Sequence, residues 1–130
     1  MENKIINEWL ARNTMRWVTS YTDMQYWSVC KNMGYVAEFI RVAKKNAWSP
    51  MTKYEHAKMC LDMWLRNDNT TRKIIMTYIV DRDDDNKEKW CADLYRYPGE
   101  QFEFISRAIG NDIAEVISIA IYNAGNNIKW

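Results

Sequence analysis

The single histidine, His56, precedes Cys60 by four residues, so on a helix imidazole and thiol would stand one turn apart. Such a pair can hold a metal or activate a thiolate. Zinc needs further ligands, and only Cys30, Cys91 and carboxylates remain, with no CxxC among the three cysteines. Cys60 also falls on an apolar stripe, which favours a core or surface role for the pair. Asp81, Asp83 and Asp85 alternate like the first ligands of a calcium loop. Asn86 replaces the glycine such a loop needs, and Ala92 stands where its last glutamate belongs. A solvated hairpin tip, whose charge discourages edge pairing, accounts for them better. Glu100 and Glu103 have no partner that marks them as catalytic. The four glycines form no phosphate-cradling loop, and no spacing builds a Ser-His-Asp set around His56. The expectation is a protein that is not an enzyme and uses no cofactor or metal.

What remains is a binding surface. Arg41, Lys44 and Lys45 closely precede Trp48, and Thr52, Lys53 and Tyr54 sit at an expected helix start. Helix N-termini attract phosphate through free N–H groups and the helix dipole. Bases stack on Trp or Tyr with little regard to sequence. Cation, aromatic ring and helix terminus within fourteen residues suit a nucleotide. The plainer account makes Arg41, Lys44 and Lys45 the wet face of a helix and Trp48 a core anchor.

These residues depend on the elements that carry them. Ser49-Pro50 predicts an extended lead-in, because proline pushes the preceding residue out of helical geometry. Thr52 then caps a helix, with Glu55 completing a capping box. Ala57, Cys60, Leu61, Trp64 and Leu65 share one face of it, and Asn67 offers a stop. Residues 3–17 read as an opening helix with Ile6, Trp9, Leu10 and Trp17 on a stripe that Asn13 interrupts. Residues 18–47 read as two short helices, divided at Gly34, the second carrying Val36, Phe39, Ile40 and Ala43. After the polar turn Asp68-Asn69-Thr70-Thr71, residues 74–80 are β-branched and aromatic and predict a strand. Residues 81–87 form a hairpin tip, and residues 90–95 alternate as a second strand. Tyr97-Pro98-Gly99-Glu100 is a turn, and Phe102 and Phe104 mark a third strand, giving an antiparallel meander. A last helix starts at Asp112, with Glu115 as a second box, runs through Ile113, Val116, Ile117, Ala120, Ile121 and Ala124, and stops at Gly125. A tail ends in Trp130. The reading is one α+β domain over residues 1–130.

With this order in view, the chain resembles the small phage proteins of the phage ABA sandwich domain family. Leu10-Ala11-Arg12-Asn13-Thr14-Met15-Arg16-Trp17 is similar to the family's opening helix. Trp48-Ser49-Pro50-Met51-Thr52 through Ala57 and Trp64 is similar to its Pro-x-Ser/Thr helix start. Asn111 through Ala124 resembles its Ala- and Ile-rich closing helix. These stretches cover under a third of the chain, and residues 18–47 depart from the family's usual connecting loop. The resemblance implies an α-β-α sandwich, here a three-stranded meander flanked by helices with a helical insert near residues 18–47. It also implies a phage origin and life in the infected bacterial cytoplasm; it implies no established activity.

Composition narrows the partners. A net charge of +1 gives no whole-molecule field toward nucleic acid, so non-specific nucleic-acid binding is not expected. The N-terminal residues lack a signal-peptide pattern, and no apolar run approaches a membrane span. An odd number of widely spaced cysteines reads as reduced thiols in a cytoplasmic protein. Seven Trp, eight Tyr and three Phe exceed what one small core needs, so the surplus points to a pocket or a homo-oligomer interface. The leading expectation is a phage-type binding protein that sequesters a nucleotide immune signal in counter-defence. The alternatives are a protein-binding inhibitor of a host defence protein, or a structural or regulatory phage protein without a ligand.

Overall fold

The computed structural model describes residues 3–66 and 69–130, which form an α+β fold of three helices and two three-stranded antiparallel sheets. Helix α1 (Asn3–Trp9) runs into a π-helical turn at Leu10–Thr14, and Ile6, Leu10, Ala11 and Thr14 are buried along it. The wider turn has a local cause. The Asn13 side-chain amide donates to the Trp9 carbonyl at 3.0 Å and so competes for an acceptor that a regular helix gives to backbone N–H. The chain then leaves helical geometry at Arg16, whose φ of 60° is left-handed. The opening helix therefore ends before the expected residue 17, although Trp17 still reaches the core.

Residues 18–47 correct the expectation of two helices. They form strands β1 (Val18–Ser20), β2 (Asp23–Met33) and β3 (Val36–Lys44), ordered β1-β2-β3. Gly34, at φ +69°, turns the β2–β3 hairpin with Tyr35 and sets a register in which partners match: Val29 faces Ile40, Cys30 faces Phe39, and Lys31 faces Glu38. Val36, Phe39, Ile40 and Ala43 do carry helical spacing. The stretch is nevertheless rich in β-branched and aromatic residues, and a two-residue turn with glycine lets them pair across strands instead.

Helix α2 (Tyr54–Arg66) buries Ala57, Cys60, Leu61 and Trp64, the face that the spacing predicts. Its cap is corrected by one residue, from Thr52 to Lys53. The Ser49 carbonyl accepts the N–H groups of Thr52 and Lys53, a tight turn that holds Thr52 outside the helix. The Thr52 hydroxyl therefore meets Ser49 Oγ, while the Lys53 carbonyl accepts the first helical bonds from His56 and Ala57. The expected stop at Asn67 and the turn residue Asp68 lie outside the described residues.

Strands β4 (Thr71–Asp81), β5 (Lys87–Tyr97) and β6 (Glu103–Gly110) form the expected meander, each longer than the sequence predicts. Asp85 and Asn86, within the loop that joins Asp81 to its partner Lys87, both take positive φ, 51° and 57°, as the central residues of the turn closed by the Lys87 N–H on the Asp84 carbonyl. Ile74, Met76, Trp90, Ala92, Leu94 and Ala108 bring one face of this sheet into the core, with Val116, Ile117, Ala120 and Ile121 of helix α3 (Ile113–Gly125). Ser106 and Ser118, fully buried, donate to the carbonyls of Ala120 and Pro50 at 2.8 Å each, so neither hydroxyl is left unpaired.

Asp112 caps α3 as predicted, its carboxylate accepting the Glu115 N–H at 3.2 Å. The stop differs. Gly125 is the last helical residue, and the left-handed position falls on Asn127 at φ 57°. The need for glycine at 125 is space: a Cβ there would collide with the Trp9 ring. Beyond it the tail runs beside β6, where the Arg107 N–H donates to the Lys129 carbonyl at 2.6 Å. No helix among the described residues is long and apolar enough to cross a membrane.

Candidate functional site

The seven residues expected to bind a ligand do not converge on one site. Arg41 is held within its own hairpin, its guanidinium paired with Asp23 and lying 4.4 Å from the Tyr26 ring centre. Lys44 ends β3 in solvent. Lys53 donates from Nζ to the Ala47 carbonyl at 3.1 Å, and Thr52 is engaged with Ser49. Tyr54 is half exposed as the first residue of α2. Trp48 is 4% exposed: its indole N–H donates to the Asn7 carbonyl at 2.9 Å, and its ring is stacked on His56 at 4.8 Å and packed edge-on to Trp17. It is a core anchor, with no open face for a base. Only Lys45 and Trp48 of the seven line a common cleft, of about 440 Å³, together with Lys4, Asn7, Glu8, Trp27, Asn46 and Ser49. Lys45 lies over the Trp27 ring at 4.7 Å, so even this cation already has a partner.

The His56–Cys60 pair is likewise structural. His56 accepts the Ser49 N–H at Nδ1, 3.0 Å away, which requires the unprotonated nitrogen. Burial first, and Lys53 second, lower its pKa below the ordinary imidazole value. Burial pushes the Cys60 thiol up to about 12, the opposite of an activated nucleophile. At the acidic hairpin tip, Lys89 bridges Asp81 at 3.3 Å and Asp84 at 2.7 Å. The hydrogen bond from Lys89, and then the charge of Lys87, lower the pKa of Asp84. Asp81 and Asp84 thus answer to lysines, and no group of three or more metal-ligating side chains is found among the described residues.

A second cleft, of about 410 Å³, opens where the π-helical turn, the C-terminal ends of α2 and α3, the end of the β4–β5–β6 sheet and the tail come together. Its cations are Arg16, Arg72, Arg96 and Lys129, and its ring walls are Trp9, Trp64 and Phe104. Arg72 and Arg96 stand directly opposite each other across β4 and β5, and Glu103 follows Arg96 across β5 and β6. Like charges in direct cross-strand register cost stability unless other charges answer them. Arg72 has a structural role: Nη1 donates to the Trp64 carbonyl at 2.8 Å, and its guanidinium lies 4.5 Å from the Trp64 ring centre, closing the end of α2. Arg96 donates from Nε to Glu103 at 3.2 Å, and both residues line the cleft. Trp9 is held edge-on to Tyr122 at 5.3 Å and passes close over Gly125.

Sequence reasoning missed this cleft because its lining comes from positions 9 to 129 and no stretch carries more than two of its cations. One signal was present: a meander register that pairs residues 74 and 94 also pairs 72 with 96, two arginines. No protein family matches the chain, and neither a curated protein nor a solved structure matches it.

Proposed function

We propose that this protein is a non-catalytic binding protein that sequesters a small nucleotide-type anion in the cleft lined by Arg16, Arg96 and Lys129. The observation that carries the reading is that these three cations, from the turn after α1, from β5 and from the tail, line the same space as Trp9, Trp64 and Phe104. Arginine forks match phosphate oxygens in geometry as well as charge. A base stacked on an aromatic wall adds roughly 1–3 kcal/mol. The volume of the cleft lies within the ~300–1,000 Å³ usual for small-molecule sites. Against catalysis, the lining among the described residues offers neither cysteine nor histidine, and the one carboxylate among them, Glu103, is bonded to Arg96.

The biological setting belongs to the same proposal. The resemblance read in residues 10–17, 48–64 and 111–124 is the ground for proposing an α-β-α kinship and a phage origin; counter-defence in the infected bacterial cytoplasm, with an immune signal as the ligand, is proposed with it from the small size and the aromatic excess. Native mass spectrometry with and without small-molecule extract, followed by titration calorimetry against linear and cyclic nucleotides, tests it. A bound mass and measurable heat are expected; silence across the panel refutes the reading.

A second reading, an inhibitor that docks on a host defence protein, has its own observation. The β2–β3 hairpin exposes Tyr35, Val36, Phe39, Ile40 and Val42, more apolar surface than a solvated hairpin needs. The homo-oligomer expected from the aromatic excess would use the same surface. Stoichiometric co-purification of a host protein favours the inhibitor, and sedimentation as a 15.6 kDa monomer removes the oligomer.

A further inference from the structure

We infer that the cleft selects a terminal phosphate monoester, as on a nucleoside 5′-monophosphate, over a cyclic or internucleotide phosphodiester, and that Arg16 enforces the choice. The inference rests on the proposed ligand-binding role of this cleft. Its first support is charge. With Arg72 set aside as the residue that closes α2, three cations (Arg16, Arg96 and Lys129) face one carboxylate, Glu103, among the described residues. The excess of two matches a phosphate monoester, which carries about −1.5 to −2 charge at neutral pH on three acceptor oxygens. A phosphodiester brings one charge and two free oxygens, and would leave one cation without an acceptor.

The second support is the direction of approach. Arg16 comes from the turn after the π-helix, Arg96 from the middle strand and Lys129 from the tail. Donors from three separate segments suit a group with three terminal oxygens. An internucleotide diester must pass its chain out on two sides, and a cyclic diester, closed on one ribose, presents only two free oxygens to the three donors. The volume of about 410 Å³ lies low in the small-molecule range, so it suits one nucleotide unit.

The third support singles out Arg16. Its φ of 60° is a conformation that glycine or asparagine adopts readily and arginine does not. Strained backbone of this kind persists where the surroundings over-determine it, and it clusters at ligand clamps. Arg16 is exposed, and no ion pair or hydrogen bond of its side chain is seen among the described residues, so no internal contact explains why a long cation stands there.

The four ribonucleoside 5′-monophosphates and their 3′,5′-cyclic forms, titrated against wild type, Arg16→Gly and Arg16→Lys, test the inference. Wild type should hold at least one 5′-monophosphate on the order of tenfold or more tighter than its cyclic form, the loss expected when a charge-assisted bond has no acceptor. Arg16→Gly should bring the two forms to similar affinity with an unchanged or raised urea midpoint, because glycine relieves the left-handed φ. Arg16→Lys should keep part of the preference. Equal binding of both forms by wild type overturns the monoester inference and leaves the binding role standing. A preference that survives in Arg16→Gly overturns the assignment to Arg16. No binding of either form overturns the binding role and the inference together.

Discussion

Substituting Gly125 by alanine sets two effects of known sign against each other. Helix propensity favours alanine over glycine by up to about 1 kcal/mol in a helix interior, and by less at a last residue. Packing opposes it. A Cβ at 125 would fall well under 3.0 Å from Cη2 and Cζ2 of Trp9, and 3.3 Å from Cζ3. Three atoms of one rigid bicycle cannot step aside separately, so the ring must rotate or the backbone must shift. Rotation breaks the edge-on contact of Trp9 with Tyr122 at 5.3 Å, and the open side is the cleft that Trp9 lines. Overpacking of this kind costs about 1–3 kcal/mol. The clash should win, for a net loss of about 1 kcal/mol or more. Urea unfolding should show a lower midpoint for Gly125→Ala, and the same change made in a Trp9→Leu background should cost little or nothing further, a coupling well outside additivity. A midpoint that rises in the single variant, as propensity alone demands, would refute the packing argument.

Three further outcomes are expected. Asp112→Ala should cost about 1 kcal/mol through loss of the α3 cap, whereas Thr52→Ala should cost clearly less, because the Thr52 hydroxyl meets Ser49 Oγ instead of capping α2, where Lys53 holds the cap position; equal costs in urea would restore Thr52 as a cap. A thiol reagent at pH 8 should label the exposed Cys30 rapidly and Cys60 only on unfolding, since burial raises the Cys60 pKa to about 12; prompt labelling of Cys60, read by mass spectrometry of peptides, would contradict its place in the core. For His56 the folded pKa lies below the ordinary 6.5, so around that pH the unfolded chain binds more protons. Its contribution to stability is therefore full above about pH 6.5 and is lost as pH falls toward the folded pKa. Wild type should lose more of its urea midpoint than His56→Gln between pH 7.5 and 5.5, and parallel losses would contradict the neutral ring bonded to Ser49.

Much of the fold was legible because its signals are local. The Ala57–Cys60–Leu61–Trp64 face, the Asp112 cap and the meander each follow from spacing within a dozen residues. Residues 18–47 misled because Val36, Phe39, Ile40 and Ala43 fit a helical stripe, while the deciding feature was the hairpin closed at Gly34. The Thr52 cap failed because a capping box is a pattern of types, and the Ser49 carbonyl, which is not part of that pattern, captured the neighbouring N–H groups. The site was least legible. Trp48 and Lys45 were picked out for nearness in sequence, but Trp48 is needed by His56, Trp17 and Asn7. The cations of the second cleft meet only after three segments have folded together, and only the Arg72–Arg96 register could be read beforehand.

The location of the ligand is the central claim, and the tryptophans report it directly. The chain has seven, each with an indole N–H that gives its own resonance in a ¹⁵N spectrum, assignable by single Trp→Phe variants. Trp9 and Trp64 line the arginine cleft, and Trp27 and Trp48 line the other. Titration with a nucleotide that gives heat should shift the Trp9 and Trp64 signals in step with saturation and leave those of Trp27 and Trp48 in place. Shifts confined to Trp27 and Trp48 would put the ligand beside Lys45 and contradict the account.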